Sequence, residues 1–254
     1  MIESLLLSLQ VVRRNWTVYK KDLIANTSPS VADPLFLLIS LGLGLGGYIQ
    51  RIDGLSYTEF LGPGLIATTA LFTSFFESSY GFYIRLTFEN VFKAMLTTPI
   101  GIKEIFIGEM IWLFIKGTVM GLGVSLVLLC FKILLSPISL LWIPLLGGLI
   151  ALPCGAIGLI ASGYVRNINQ FQIVYSFLIA PIYFLSGVFF PISNPIVAKI
   201  ILISPFYHGV RLIQMSAWGR VNLQDFLFHM SALILFTLIL SVWSYKRVVA
   251  KLQS

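Results

Sequence analysis

Charge is what this chain has least of. Only 11% of its 254 residues are Asp, Glu, Lys or Arg, against about 25% in an ordinary soluble chain, while 57% are hydrophobic and the mean hydropathy is +0.93. A surface so poor in charge has to face lipid. Cysteine is scarce too: Cys130 and Cys154 each sit inside an apolar run, so neither a disulfide framework nor a metal site can be read from them. The two histidines, His208 and His229, lack metal-ligand spacing, and no Cys-His or Ser-His-Asp set falls on plausible loops. No catalytic residue and no metal site is expected. A Gly-Lys dipeptide is missing altogether, which excludes the G-x-x-x-x-G-K-[ST] loop that cradles nucleotide phosphates. The chain is therefore expected to bind no cofactor and to hydrolyse no ATP by itself.

The net charge of +7 does not point to nucleic acid, because the basic residues stand at the ends of apolar segments instead of forming a patch. Residues 2-23 place Ile2, Leu5, Leu9, Val12, Trp16, Tyr19 and Leu23 at steps of three and four, with Glu3, Gln10, Arg14, Thr17 and Lys21 on another face. That spacing predicts an amphipathic helix lying in the membrane surface. It does not read as a cleaved targeting segment, since Arg13 and Arg14 follow the apolar stretch and no small-residue cleavage site closes it.

A helix needs about 20 apolar residues to cross the hydrocarbon core, and six stretches qualify. They fall at about 32-50, 58-80, 104-131, 139-164, 170-190 and 225-245. Connections at 132-138 and 165-169 are short, whereas 81-103 and 191-224 are long. No internal repeat or linker interrupts the chain, so residues 1-254 read as one all-α membrane domain. An even number of spans puts both termini on one side. With them go the 81-103 and 165-169 connections, and that side holds eleven Lys and Arg residues against five on the other. The bias places the termini in the cytoplasm.

Ionisable residues inside a span are costly and mark function by default. Glu77, Glu109 and Lys116 qualify, with His229 near the start of the sixth span. Both carboxylates lie near the cytoplasmic ends of their spans, where they can brace a gate. Lys116 is seven residues beyond Glu109, about 10 Å along a helix, so these two cannot pair within it. Lys116 is left to face an aqueous cavity, to bind an anionic substrate, to snorkel, or to pair with Glu77. Gly42 and Gly46, and Gly117 and Gly121, have the spacing that lets helices approach closely, within this chain or with a second copy. Tyr80 belongs to an aromatic set, with Tyr83, Tyr164, Tyr175 and Tyr183, suited to the membrane interface or to stacking on a sugar.

The stretch from Tyr57 to Met110 carries Phe60, Leu61, Gly64, Phe76-Glu77, Tyr80, Arg85, Thr98-Pro99 and Gly108-Glu109. A second runs from Leu185 to Pro191, followed by Pro205, His208 and Arg211. On these residues the chain resembles the ABC-2 type permeases, and within them the branch typified by the export permease for nodulation lipo-oligosaccharides. The resemblance implies a homodimer of six-span subunits in the inner membrane. Each subunit would be served on the cytoplasmic side by a separate ATPase, two copies in all, which would bind ATP and Mg. It implies that the N-terminal helix and a short helix at about 86-98 form the docking surface, with Arg85, Glu89, Asn90 and Lys93 as exposed coupling residues and Phe92 as an aromatic anchor. Lys93 departs from the acidic residue often found there. The 191-224 connection would form short re-entrant helices capping the exit, with Pro191, Pro205, His208 and Arg211. Glu77, Glu109, Lys116 and Tyr80 would line the pathway or gate. The implied function is ATP-driven export of an amphipathic substrate, an acylated or lipid-linked saccharide, a lipid or a drug. The residues themselves also allow an ion-coupled secondary transporter using the Glu77, Glu109 and Lys116 relay, or a membrane anchor of an assembly complex.

Overall fold

The computed structural model describes residues 2-49, 51-133 and 139-253. Most of the expected 132-138 connection, and the last residue of the first expected span, lie outside them. The described residues hold twelve α-helices, joined in places by 3-10 or π turns, and an isolated β-bridge between Ile52 and Leu55 closes one turn.

Helix α1 (Ile2–Tyr19) runs through a 3-10 turn (Lys20–Asp22) into α2 (Leu23–Gly44). The Asp22 side chain caps α2 by accepting from the Ala25 N–H. This cap starts the helix nine residues earlier than the hydropathy of the first expected span suggests. At α3 (Tyr57–Phe76) the Ser56 hydroxyl accepts from the Glu59 N–H while the Glu59 carboxylate accepts from the Ser56 N–H, a reciprocal cap. A π turn (Glu77–Gly81) joins α3 to α4 (Phe82–Thr87), so that Tyr57–Thr87 forms one 31-residue rod.

The chain then breaks at Asn90, whose φ of 54° is left-handed, before α5 (Val91–Leu96). The helix expected over 86-98 is therefore only six residues long. Next come α6 (Ile102–Cys130), α7 (Ser139–Tyr164), and the Ile168–Phe184 stretch containing α8 (Phe171–Val174) and α9 (Ala180–Phe184). Last are α10 (Pro195–Ile201), α11 (Pro205–Ala217) and α12 (Leu223–Leu252).

Four helices among the described residues are long and apolar enough to cross a membrane: Tyr57–Thr87, Ile102–Cys130, Leu140–Tyr164 and Leu223–Leu252. The pair α10 and α11, bent by 104° at its break, makes a fifth if counted as one span. This bent pair occupies the region expected to hold short helices before the last span. The first and fifth expected spans are not among the four. Polar residues Asn26 to Ser28 dilute α2, and Ile168–Phe184 is an apolar stretch shorter than 18 residues.

Helices α3 and α7 form the centre, with 78% of their apolar windows buried, whereas only 11% of the α12 window is. Glycine sets the closeness of α6 and α7. A Cβ at Gly117 would stand 3.1 Å from the Gly147 carbonyl oxygen, and one at Gly148 would stand 2.9 Å from that of Phe114. The small-residue face of the third expected span thus meets a helix of the same chain. Gly42 likewise faces Thr58 of α3.

Helix α1 lies along α6. Its buried face is Ser8, Val11, Val12, Asn15 and Tyr19, while Leu5, Leu6, Leu9 and Trp16 remain exposed. Gly108 permits the contact, since a Cβ there would come 2.8 Å from the Ser8 carbonyl oxygen.

Candidate functional site

Glu77, Glu109 and Lys116, the ionisable residues expected inside the spans, converge on one place with Arg85. Glu77 opens the π turn, a local widening of the helix often found at functional sites. Its carboxylate accepts from Arg85 Nη1 at 2.5 Å and from Lys116 Nζ at 2.6 Å. The other guanidinium nitrogen, Arg85 Nη2, donates to Glu109 Oε2 at 2.6 Å, and Asn15 Nδ2 donates to Glu109 Oε1 at 3.0 Å. Arg14 Nη1 then donates to Asn15 Oδ1 at 3.1 Å, and Arg14 Nη2 lies 3.9 Å from Glu89 Oε2. Partial burial lowers the Arg14 guanidinium from its ordinary value, and the nearby Arg85 charge adds to this.

The result is a continuous chain, Lys116, Glu77, Arg85, Glu109, Asn15, Arg14, Glu89, running from the core to the surface. Its four inner charges sum to zero, which is how ion pairs persist where each alone would be costly. Fixed pairing of this kind leaves no inner charge free.

Two cavities flank the inner end. One, about 520 Å³, is lined by Asp33 and Leu37 of α2, Thr68 and Phe72 of α3, and Tyr175 and Tyr183 of the Ile168–Phe184 stretch. The other, about 230 Å³, is lined by Arg14, Asn15, Arg85, Glu89 and Trp112. Glu77 and Lys116 line both. Their ion pair is a partition between an aromatic, threonine-bearing chamber and a charged one.

Of the expected pathway residues, Glu77, Glu109 and Lys116 are thus brought together, and of the alternatives for Lys116 the structure shows pairing with Glu77 beside a cavity. Tyr80 stands apart from both cavities, its ring 5.8 Å from that of Phe76 and 4.9 Å from that of Phe171. Among the coupling residues, Glu89, Asn90 and Lys93 are exposed as expected.

Arg85 and Phe92 are corrections. The Arg85 side chain is only 11% exposed, because its guanidinium is the bridge between two carboxylates. Phe92 is fully buried against its own chain, 4.6 Å from the Phe82 ring and beneath Arg85, whose Cζ lies 6.0 Å from its centroid. It is not available as an anchor for a partner.

At the expected exit cap, Pro191 is exposed in the loop before α10, and Pro205 is the buried first residue of α11. Arg211 is half-buried, its Nε without a hydrogen-bond partner among the described residues. His208 and His229 meet, Nδ1 to Nδ1, at 2.8 Å, and His208 Nε2 lies 3.0 Å from the Leu202 carbonyl. A carbonyl only accepts, so neutral His208 carries its proton on Nε2, and His229 Nδ1 donates to His208 Nδ1. The pair ties α11 to α12. His229→Phe leaves His208 Nδ1 buried without a donor and is expected to cost about 1–3 kcal/mol, read as a lowered unfolding temperature in detergent.

A family model for the ABC-2 type transporter matches residues 8–218. The chain belongs to the ABC-2 type transporter family. Relatives named Nodulation protein J agree with that. The one from Rhizobium leguminosarum bv. viciae is 32% identical over 84% of this chain and 82% of its own. That from Azorhizobium caulinodans is 34% identical over 79% of each. The inner membrane transport permease YadH of Escherichia coli is 23% identical over 72% of this chain and 67% of its own. No solved structure matches the chain.

As an ABC-2 chain it is a membrane subunit rather than the ATPase, and transporters of this family work with an ABC ATPase. In this ABC-2 subunit the members of the polar network that the sequence reading misses are Asn15 and Arg14. Asn15 does carry a signal. It is a lone amide on the helical face shared by Ser8, Val11 and Tyr19, a face otherwise suited to packing.

Proposed function

We propose that this chain is the permease of an ATP-driven exporter. Two copies, each served by a separate ATPase on the side of the termini, would move an amphipathic substrate outward by alternating access. The substrate class is an acylated or lipid-linked saccharide, a lipid or a drug, and the membrane is the inner membrane with both termini cytoplasmic. What supports this reading is the unbroken link from exposed Glu89 through Arg14, Asn15, Glu109 and Arg85 to the Glu77 and Lys116 partition.

A push on α1 is transmitted from Arg14 inward by charge-assisted bonds rather than by soft packing, and the 88-90 turn reaches Arg14 through the 3.9 Å Glu89 ion pair. The partition then opens when Lys116 and Glu77 part, joining the two cavities. The aromatic and hydroxyl lining of the larger cavity suits a substrate with both apolar and sugar-like faces.

Charge reversal at the exposed end tests it. Glu89→Arg places two like charges at the Arg14 contact and should leave folding within about 0.5 kcal/mol of wild type, as exposed substitutions do. In co-purified complexes it is expected to weaken ATPase capture, or to leave hydrolysis running without transport. Unchanged capture together with unchanged transport would remove the 88-90 turn from the coupling route.

A further inference from the structure

A third cavity, about 750 Å³ and larger than the two beside Glu77, lies away from the ion network, between α7, the α8–α9 stretch, the α10–α11 turn and α12. Its walls are apolar, among them Ile160, Leu178, Pro205, Phe236 and Leu240. Tyr164 and Trp243 close one end, and there the Arg247 guanidinium lies over the Tyr164 ring, Cζ 4.1 Å from its centroid. Among the described residues Arg247 makes no ion pair. We propose that this groove is a binding site for one anionic phospholipid, its phosphate on Arg247 and its acyl chains along α12.

Length supports that occupant. Phe236 and Arg247 are eleven residues apart on one helix, about 16 Å at 1.5 Å per residue. The hydrocarbon of one leaflet is half of about 30 Å, so a lipid with its headgroup at Arg247 ends its chains at Phe236 and Pro205. Charge supports it as well. The Arg247 guanidinium over the Tyr164 ring puts a cation suited to phosphate at the end of an apolar groove, and exposed Lys246 adds to the local positive field. The chain ends would rest against the α10–α11 turn, next to Tyr207, whose ring packs on both His208 and His229. Lipid occupancy thereby braces the bent pair.

The test uses the transporter assembled with its ATPase, in nanodiscs of phosphatidylethanolamine with a minor share of phosphatidylglycerol. A photoreactive benzoylphenylalanine in place of Phe236 should gain the mass of one phospholipid on illumination, and lipid released from the purified complex should be enriched in phosphatidylglycerol. Arg247→Gln should cut that enrichment about fivefold, the effect of one basic residue on an anionic headgroup. Arg247→Lys, which keeps the charge, and Lys246→Gln, which leaves the stacked residue, should retain most of it. Crosslinking to a second copy of the chain, or a lipid adduct with no phosphatidylglycerol preference in any variant, would overturn the proposal. The first outcome makes the groove a subunit interface and the second makes it ordinary lipid-facing surface.

Discussion

Arg85→Gln is expected to destabilise the folded subunit by about 3–5 kcal/mol, because it leaves the Glu77 and Glu109 carboxylates buried with half their partners gone. Among the described residues Arg85 is the only one bonded to both. Glu77 keeps Lys116 and Glu109 keeps Asn15, but two negative charges then share one Lys. The measurement is the unfolding temperature of the purified subunit. Charge balance predicts its own rescue: Arg85→Gln combined with Glu109→Gln restores neutrality among Glu77 and Lys116 and should recover more than half of the loss. A single-variant loss under 1 kcal/mol would mean that the network is hydrated and not a buried ion cluster. A double variant no better than the single would mean that geometry, not charge, sets the cost.

Phe92→Ala is expected to be as severe, about 3–5 kcal/mol, and to act on folding rather than on partner binding. The ring is fully buried among Phe82, Leu86, Ile105 and Phe106, and it floors the Arg85 guanidinium. Truncation opens a cavity and loosens the bridge above it. The unfolding temperature should fall in the isolated subunit, with no ATPase present. Phe88, four residues earlier, is 64% exposed and makes the contrasting case: Phe88→Ala should leave stability nearly unchanged and act only when a partner is added. Equal stability for Phe92→Ala and wild type would return Phe92 to the docking surface.

These two residues also show where sequence reading reaches its limit. Phe88, Val91, Phe92 and Met95 fall at helical spacing on one face of their segment, but periodicity does not say whether that face meets its own core or another protein. Arg85 falls in the 81-103 connection, and a linear reading assigns an arginine at a span end to water. Its partners are eight and 24 residues away, and only the close packing of α6 on the Tyr57–Thr87 rod brings the second within reach.

Where the signal is periodic and local, the sequence is a good guide. The helices at 58-80, 104-131, 139-164 and 225-245 all appear, and the seven-residue gap correctly forbids a Glu109–Lys116 pair. Helix α1 lies between these cases. Its helical character is legible, yet only Val12 and Tyr19 of the expected apolar stripe face the protein, alongside Ser8, Val11 and Asn15, while Leu5, Leu9 and Trp16 stay exposed. The His208 and His229 pair was invisible for a related reason. Twenty-one residues separate them, and a bend of 104° between α10 and α11 fixes where the first one lies.

The central claim is that the chain of contacts from Glu89 to Lys116, hydrogen-bonded from Arg14 inward, carries the ATPase cycle to the partition between the two cavities beside Glu77. Asn15 is its narrowest link, an uncharged amide joining Arg14 to Glu109, and Asn15→Leu cuts the chain while keeping a similar volume. The measurement is the reactivity of Leu37→Cys, which lines the larger cavity, toward a small polar thiol reagent. It is made on the assembled transporter with and without ATP, in a Cys130→Ser background because Cys130 is exposed. With Asn15 in place, ATP is expected to change the labelling rate at least threefold. With Asn15→Leu the rate should no longer respond to ATP while the partner still hydrolyses it. A full ATP response in Asn15→Leu would contradict the account.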